Sequence, residues 1–248
     1  MFVKNWLPAS SVLFACLLQV PVAWSVDCTP DLIVLSSQAE VDNFQVNHGP
    51  GCDTVVTGLT IDGASINDLT PLLGLTAVST VGPFALDHRL QINNTSLTSL
   101  SGLDNLSNVH WIEVNNNTSL TDLTALSNLT TVRGPLFING NTALTNVNGL
   151  GSLTTLSGGA LFIENNTLLT DLSGVSNITS INASLVITNN DALLNLDAFS
   201  GLSQVSSNIS ITQNDNLASL GGLGGLVGFD ATLNVRFNNQ LTSLGLSL

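Results

Sequence analysis

LFINGNTALTNVNGLGSLTTLSGGALFIENN, residues 136–166, contains one complete copy of the repeat that decides the fold. It begins and ends on the same alternating apolar triplet, Leu136-Phe137-Ile138 and Leu161-Phe162-Ile163. Such a triplet is typical of a short β-strand whose middle residue faces outward. Between the triplets, apolar residues recur at every third position. In an α-helix, each residue of such a series would be rotated by about 60° from the one before, so the series would spread around the helix surface. The segment is therefore predicted to be a coil that turns corners, with inward residues Leu144, Val147, Leu150, Leu153 and Leu156.

The same triplet recurs along most of the chain. From Leu90 onward the copies start 22 to 25 residues apart, and an earlier copy at Leu59 stands 31 residues before Leu90 because of an insertion around Pro83 to Arg89. Stacked coils of about 24 residues align their triplets into a parallel sheet. The repeat therefore predicts an all-β-type solenoid. Its other triplets are Leu59-Thr60-Ile61, Leu90-Gln91-Ile92, Ile112-Glu113-Val114, Leu185-Val186-Ile187, Ile209-Ser210-Ile211 and Leu233-Asn234-Val235.

An asparagine follows the triplet at a fixed distance in six successive coils. Asparagine tolerates left-handed backbone conformations, and its amide can hydrogen-bond to backbone groups of a neighbouring turn. We therefore expect a structural ladder at Asn117, Asn141, Asn166, Asn190, Asn214 and Asn238.

The N-terminus is typical of a secretory signal peptide of residues 1–25, in which Lys4 precedes an apolar stretch and small residues mark the cleavage site. The apolar stretch is too short to span a bilayer. Processing as a lipoprotein at Cys16 is the alternative, although Phe14 fits that site poorly. The prediction is a protein that is secreted or displayed at the cell surface, with no transmembrane segment.

Removal of the signal peptide leaves two cysteines, Cys28 and Cys52. Export favours a disulfide between them, and two unpaired buried thiols are the alternative. Both lie in a predicted N-terminal cap of residues 26–53, which precedes a solenoid of about eight coils over residues 54–248.

Two features of the repeat carry a resemblance to known families. The triplet followed by asparagine, L-x-I-x-x-N, looks like a leucine-rich repeat. The apolar residues at every third position, followed by Gly158 and the next triplet, more closely resemble the receptor L domain. That domain is the right-handed β-helix of insulin- and EGF-receptor ectodomains, and it is similar to repeats in fungal cell-wall proteins.

The resemblance covers about residues 28–248. It implies a right-handed parallel β-helix of leucine-rich coils with a disulfide-bonded N-terminal cap. The chain departs from those receptors because it has no cysteine-rich module, transmembrane helix or kinase, so receptor signalling is not implied. It departs from ordinary leucine-rich repeats by N-x-x-L where N-x-L is expected.

Composition and charge exclude several classes of function. Lys and Arg number 4 against 17 Asp and Glu, which gives a net charge of −13. Binding to phosphates needs clustered cations, so neither nucleic acid nor an anionic membrane is the expected partner. Hydrophobic residues make up 44% of the chain, which excludes an intrinsically disordered acidic protein.

The sequence predicts no enzyme activity, cofactor or metal. His48, His88 and His110 fall in the cap, the insertion and a coil corner, where we expect solvated loop residues, and no nucleophile motif accompanies them. The three arginines that remain after processing lie in different coils, so the basic and acidic cluster of a β-helical lyase is not reproduced. A calcium site between Asp122 and Asp171 is the alternative.

The column of outward triplet residues is the most informative surface. Phe137, Phe162 and Val186 are adjacent in it, and Trp111 precedes the neighbouring triplet. Exposed aromatic residues on a flat sheet suit stacking on sugar rings or a protein-binding hot spot, and cross-coil stacking that only stabilises the fold is the alternative. We predict that this face binds an extracellular protein or a carbohydrate through Trp111, Glu113, Phe137, Phe162, Glu164 and Val186.

Three further expectations concern function. Outward-facing sequons at Asn105, Asn128 and Asn177 are predicted to carry glycan in a host that glycosylates secreted proteins, and a corner composition rich in Asn, Ser and Thr is their alternative origin. The last repeat stops at Leu248 without a polar cap, which predicts either a longer protein or end-to-end association at that edge. A structural cell-wall or matrix component without a soluble ligand is the alternative to a recognition module.

Overall fold

The structure, a computed structural model, describes residues 26–28, 31–78, 88–227 and 232–244. The predicted signal peptide, most of the insertion before Arg89 and the last four residues of the predicted open edge lie outside the described residues. Within these ranges a full coil contains three straight segments. A strand of a first sheet is followed by a single 3-10 turn and then by a short strand of a second sheet.

The first sheet forms one side of the solenoid. Each of its strands pairs in parallel with its counterpart in the next coil, as Leu161 pairs with Leu185. The structure therefore confirms a parallel β-solenoid. Within the described ranges the sheet has nine strands, which in spatial order are β1 (Ile33–Leu35), β3 (Leu59–Asp62), β5 (Arg89–Asn93), β7 (Trp111–Asn115), β9 (Leu136–Asn139), β11 (Leu161–Glu164), β13 (Leu185–Thr188), β15 (Ile209–Thr212) and β16 (Leu233–Arg236).

The second sheet and the 3-10 turns form the other two sides. In the part of the chain that the structure describes, the second sheet is parallel and has seven strands, β2 (Thr54–Val55), β4 (Ala77–Val78), β6 (Asn108–Val109), β8 (Thr131–Val132), β10 (Thr155–Leu156), β12 (Ser180–Ile181) and β14 (Gln204–Val205). The 3-10 turns of the described residues are η1 (Thr70–Leu72), η2 (Thr124–Leu126), η3 (Asn148–Leu150), η4 (Ser173–Val175), η5 (Asp197–Phe199) and η6 (Gly221–Leu223).

Apolar side chains from all three sides meet inside the solenoid. Leu136 and Ile138 are buried, whereas Phe137 between them is half-buried on the outer side. The residues at every third position are buried in the same core, as at Leu144 and Leu150. Short straight segments that each send side chains inward explain why the apolar period is three rather than that of a helix.

The asparagine ladder lies buried beside the first sheet. Nδ2 of Asn141 donates to the Val114 carbonyl at 2.8 Å, and its Oδ1 accepts from the Asn117 backbone N–H at 3.0 Å. The prediction that the ladder residues adopt the left-handed conformation is wrong. The residue before each ladder position adopts that conformation instead and makes the turn. That leaves the ladder amide free to point inward. The left-handed residues are Asn94, Asn116, Gly140, Asn165, Asn189, Gln213 and Phe237.

The N-terminal segment covers the first coil with two short helices, α1 (Gln38–Asp42) and α2 (Phe44–His48). The Ser37 side chain accepts a hydrogen bond from the Glu40 N–H, and the Glu40 carboxylate accepts one from the Ser37 N–H. The two bonds form a capping box. A disulfide joins Cys28 to Cys52. Strand β1 of this segment pairs with β3 and so extends the first sheet by one strand.

Candidate functional site

An aromatic row of Trp111, Phe137 and Phe162 lies on the outer side of the first sheet. Phe137 and Phe162 are register partners on β9 and β11. Their rings are stacked in parallel, with centroids 4.4 Å apart and an interplanar angle of 3°. The Trp111 ring is tilted against Phe137 at a centroid distance of 5.9 Å. Val186 follows Phe162 in the next coil, so an apolar strip crosses four neighbouring coils.

The faces of the two phenyl rings are turned toward each other. Phe137 and Phe162 are each half-buried, and rings at this spacing are in contact, so no third ring fits between them. The strip therefore presents ring edges to solvent. Aromatic pairs of this kind contribute about 0.5–1.5 kcal/mol in addition to the free energy of burying their surface. The row therefore also stabilises the stacking of one coil on the next.

The Trp111 end of the row is charged. Arg89 is the register partner of Trp111 on β5, and its guanidinium carbon lies 5.4 Å from the indole ring centroid. Nη1 of Arg89 is 3.7 Å from Oε1 of Glu113, and Nε2 of Gln91 donates to Oε2 of the same carboxylate at 2.6 Å. Glu113 is thus held by a cation and an amide at the edge of the aromatic row.

The sequence prediction of the site omits Arg89 and Gln91. Arg89 had a usable signal, because it stands immediately before its triplet just as Trp111 stands immediately before the next one. Gln91 occupies the same outward triplet position as Glu113. The column of outward triplet residues thus already contained Gln91, and the register of β5 with β7 places both residues beside the row.

The neighbouring outward column of the first sheet is polar. The register aligns Asn139, Glu164 and Thr188 in it, and the hydroxyls of Thr188 and Thr212 hydrogen-bond at 3.0 Å. Burial raises the pKa of the Glu164 carboxyl above its ordinary value. The six predicted site residues therefore share one face, with Trp111, Glu113, Phe137, Phe162 and Val186 in the apolar strip and its charged end and Glu164 beside them.

The predicted glycan acceptors lie at a different corner. Asn105, Asn128 and Asn177 are exposed, and each stands three residues before a strand of the second sheet. Each donates Nδ2 to a carbonyl of the preceding coil at 2.7 Å. This corner joins the 3-10 side to the second sheet, so it does not border the first sheet.

One of the histidines is not solvated. His88 is only 7% exposed, and its ring centroid lies 6.2 Å from that of His110 in the next coil. The prediction of a solvated loop residue is therefore wrong for His88. The physical reason is that its Nδ1 lies 2.7 Å from the Thr57 carbonyl oxygen of the preceding coil, which draws the ring inward.

Acidic residues at the coil corners serve the 3-10 turns. Asp122 accepts from the Thr124 N–H at 2.9 Å, and Asp171 accepts from the Ser173 N–H at 2.7 Å. The Ser173 hydrogen bond holds the pKa of Asp171 below its ordinary value. Within the described ranges, no three His, Cys, Asp or Glu side chains are grouped so that they could hold a metal ion.

In comparisons with known proteins, no family model matches the chain, and no curated protein matches it. The resemblance to the receptor L domain therefore stays a prediction. Among the residues that the structure describes, no helix has the length and apolar character needed to cross a membrane.

Proposed function

We propose that the chain is a secreted or cell-surface recognition module that binds an extracellular protein through the outer face of its first sheet. In this proposal it is a non-catalytic, right-handed solenoid of about 24-residue coils, as the receptor L domain resemblance implies. The observation that carries the proposal is the aromatic row beside the Arg89–Glu113 ion pair. Aromatic and arginine side chains are enriched where proteins bind each other.

The ring geometry favours a protein partner over a carbohydrate. A sugar stacks on an open aromatic face, whereas the ring centroids of Phe137 and Phe162 are 4.4 Å apart and each ring covers the facing side of the other. A narrow strip of ring edges with a charged rim resembles the apolar centre and polar margin of a protein interface. A partner that inserts its own apolar side chains along the strip would match this shape.

The positions of the predicted glycans also favour the first sheet as the binding face. Asn105, Asn128 and Asn177 stand at the corner that does not border the first sheet. Bulky, hydrated sugars at that corner keep a surface clear of protein contacts. The aromatic row would stay accessible in a glycosylated, secreted protein.

A structural role in a cell wall or matrix is the second candidate. It is favoured by hydroxyl groups that bond between coils, since Oγ1 of Thr121 donates to the Thr98 carbonyl and Oγ1 of Thr145 donates to the Thr121 carbonyl, at 3.1 and 3.2 Å. Such ladders stiffen a rod without recognising a ligand. This candidate predicts retention in the insoluble wall fraction and no saturable soluble partner.

The test of the recognition proposal compares two double variants. F137S/F162S removes the stacked rings, and L168S/L194S removes two leucines that are 55% and 56% exposed outside both sheets. Each protein is screened against arrays of extracellular protein domains and of glycans. We expect saturable binding to a protein domain that F137S/F162S loses and L168S/L194S retains, with unchanged far-UV circular dichroism.

A third variant covers the case in which the serine pair unfolds. V186S copies Ser210, the register partner of Val186 in the next coil, and it leaves both rings in place. Weaker protein binding by V186S would support the proposal. Binding to glycans alone, or protein binding that survives in folded F137S/F162S, would contradict it.

A further inference from the structure

His88 is a buried imidazole with one unused nitrogen. Its Nδ1 lies 2.7 Å from the Thr57 carbonyl oxygen, and a carbonyl only accepts, so Nδ1 carries the proton. In the neutral ring Nε2 then keeps a lone pair. Within the part of the chain that the structure describes, Nε2 is buried and has no hydrogen-bond partner.

This nitrogen faces the coil that holds His110. Thr57 precedes β3, His88 precedes β5 and His110 precedes β7, and these strands are neighbours in that order. The two ring nitrogens point away from each other across the imidazole. With Nδ1 directed to the preceding coil, Nε2 is directed to the following one, where the His110 ring lies at a centroid distance of 6.2 Å and an interplanar angle of 70°.

We propose that His88 and His110 bind a divalent transition-metal ion of the zinc, nickel or copper class, which clamps two adjacent coils at the corner before the first sheet. Neutral imidazole is the preferred ligand of these ions among the side chains at this corner. A hydrogen bond from Nδ1–H to a backbone carbonyl, with Nε2 left for the metal, is the usual arrangement of a metal-binding histidine.

The ring separation agrees with a bridging ion. A zinc ion lies about 2.0–2.1 Å from each imidazole nitrogen, so it can join two rings whose centroids are at most about 6.4 Å apart. The observed 6.2 Å lies just within that reach and corresponds to a nearly linear arrangement of the two nitrogens about the ion. A tetrahedral angle at the ion requires the centroids to approach to about 5.2 Å. The half-buried His110 ring can reach this distance by turning toward His88.

Two other groups at this corner bear on the site. Oδ1 of Asn108, two residues before His110, is another buried polar atom without a partner among the described residues, and solvent or this amide can complete the coordination. Arg133 lies in the coil after His110, and its backbone nitrogen is 3.4 Å from the Val109 carbonyl oxygen. The positive charge of Arg133, next to His110 in the stack of coils, opposes a cation at the site.

The experiment titrates the full-length protein, freed of metal with EDTA and dialysed, with zinc chloride in a calorimeter at neutral pH. We expect one ion per chain and a rise in Tm with added zinc. H110Q is expected to bind zinc more than about tenfold more weakly. Removal of a group that only orients a metal ligand already weakens metal binding by about 10–100-fold, and His110 is proposed to be a ligand itself. H48Q removes the remaining histidine, in α2, and should bind like the wild type.

The charge of Arg133 provides an independent check. R133Q removes a nearby positive charge and should bind zinc more tightly than the wild type. Equal or weaker binding by R133Q would place the ion away from His110 and overturn the proposal. So would the absence of zinc-dependent heat, unchanged affinity in H110Q, or an equal loss in H48Q.

Discussion

At the scale of single residues, the ladder asparagines connect three coils at once. Asn141 contacts Val114 and Asn117 in the coil before it, and its own backbone N–H donates to Oδ1 of Asn166 in the coil after it at 3.0 Å. All these polar groups are buried. Each ladder side chain therefore supplies hydrogen bonds to backbone groups that are buried in an apolar core.

Truncation of a ladder residue should be costly. N141A leaves the buried Asn117 N–H without its acceptor, which costs about 1–3 kcal/mol, and removes the hydrogen bond to the Val114 carbonyl, which contributes about 0.5–1.5 kcal/mol. We therefore expect the free energy of unfolding to fall by about 1.5–4.5 kcal/mol. N116G is the control, because Asn116 is exposed with φ 57° and Gly140 occupies its place in the next coil. Its effect should be within about 0.5 kcal/mol. Denaturant unfolding measures both, and a similar loss in the two variants would contradict the ladder's role.

Glu164 makes stability depend on pH in a direction that can be checked. Burial raises its folded-state pKa above the ordinary 4.5, so the folded chain binds this proton more tightly than the unfolded chain does. Stability therefore falls as the pH rises from the ordinary value through the folded-state pKa. We expect E164Q to raise Tm at neutral pH and to leave it nearly unchanged in acid well below 4.5. Thermal melts across pH would contradict this sign if the gain grew toward acid.

At the scale of elements, the 3-10 turns approach one another closely through their middle residue. Gly149 is the middle residue of η3, and an added Cβ would collide with the Leu123 carbonyl of the preceding coil. Gly174 and Gly222 meet carbonyls of their preceding coils in the same way. Glycine at the middle position thus lets the backbones of neighbouring 3-10 turns approach closely.

Two alanine substitutions in η3 and its cap separate this packing effect from helix propensity. G149A brings a methyl group against backbone, and we expect a loss of about 1–3 kcal/mol. Ala125 occupies the equivalent position in the coil before, so the neighbouring backbone can move enough to keep the cost in that range. At Gly151, φ is −63° and the nearest atom to a Cβ is 3.5 Å away, so G151A should be neutral or stabilise by up to about 1 kcal/mol. Equal losses in the two variants would contradict close approach as the cause.

The sequence predicts only part of these elements, for physical reasons. The first-sheet strands and the third-position leucines are predictable because burial imposes a period along the chain. Strands of the second sheet such as Thr131–Val132 are two residues long, which is too short to show an alternation. The face-to-face stacking of Phe137 on Phe162 depends on side-chain rotamers, and the burial of His88 depends on a carbonyl 31 residues away. Neither has a local sequence signal.

At the scale of the whole molecule, the coils place different surface chemistry on different sides. The first sheet has the aromatic row, the corner before it has the histidine pair, and the corner between the 3-10 turns and the second sheet has the exposed sequons. Stacking with a fixed register keeps each kind of residue in its own column over several coils. A partner, a metal ion and glycans could therefore occupy the protein together.

Expression in a eukaryotic secretory host should reveal this division. Peptide mapping after enzymatic deglycosylation is expected to find glycan at Asn105, Asn128 and Asn177. Each of their Nδ2 atoms donates one hydrogen bond. A glycosylated Nδ2 keeps one N–H, so that hydrogen bond can persist. Asn117 also lies in a sequon, but it is 0% exposed and its Nδ2 donates to both Ile92 and Asn141. It should stay unmodified. Glycan on Asn117 of the folded protein would contradict the ladder, because that amide cannot carry a sugar and keep both hydrogen bonds.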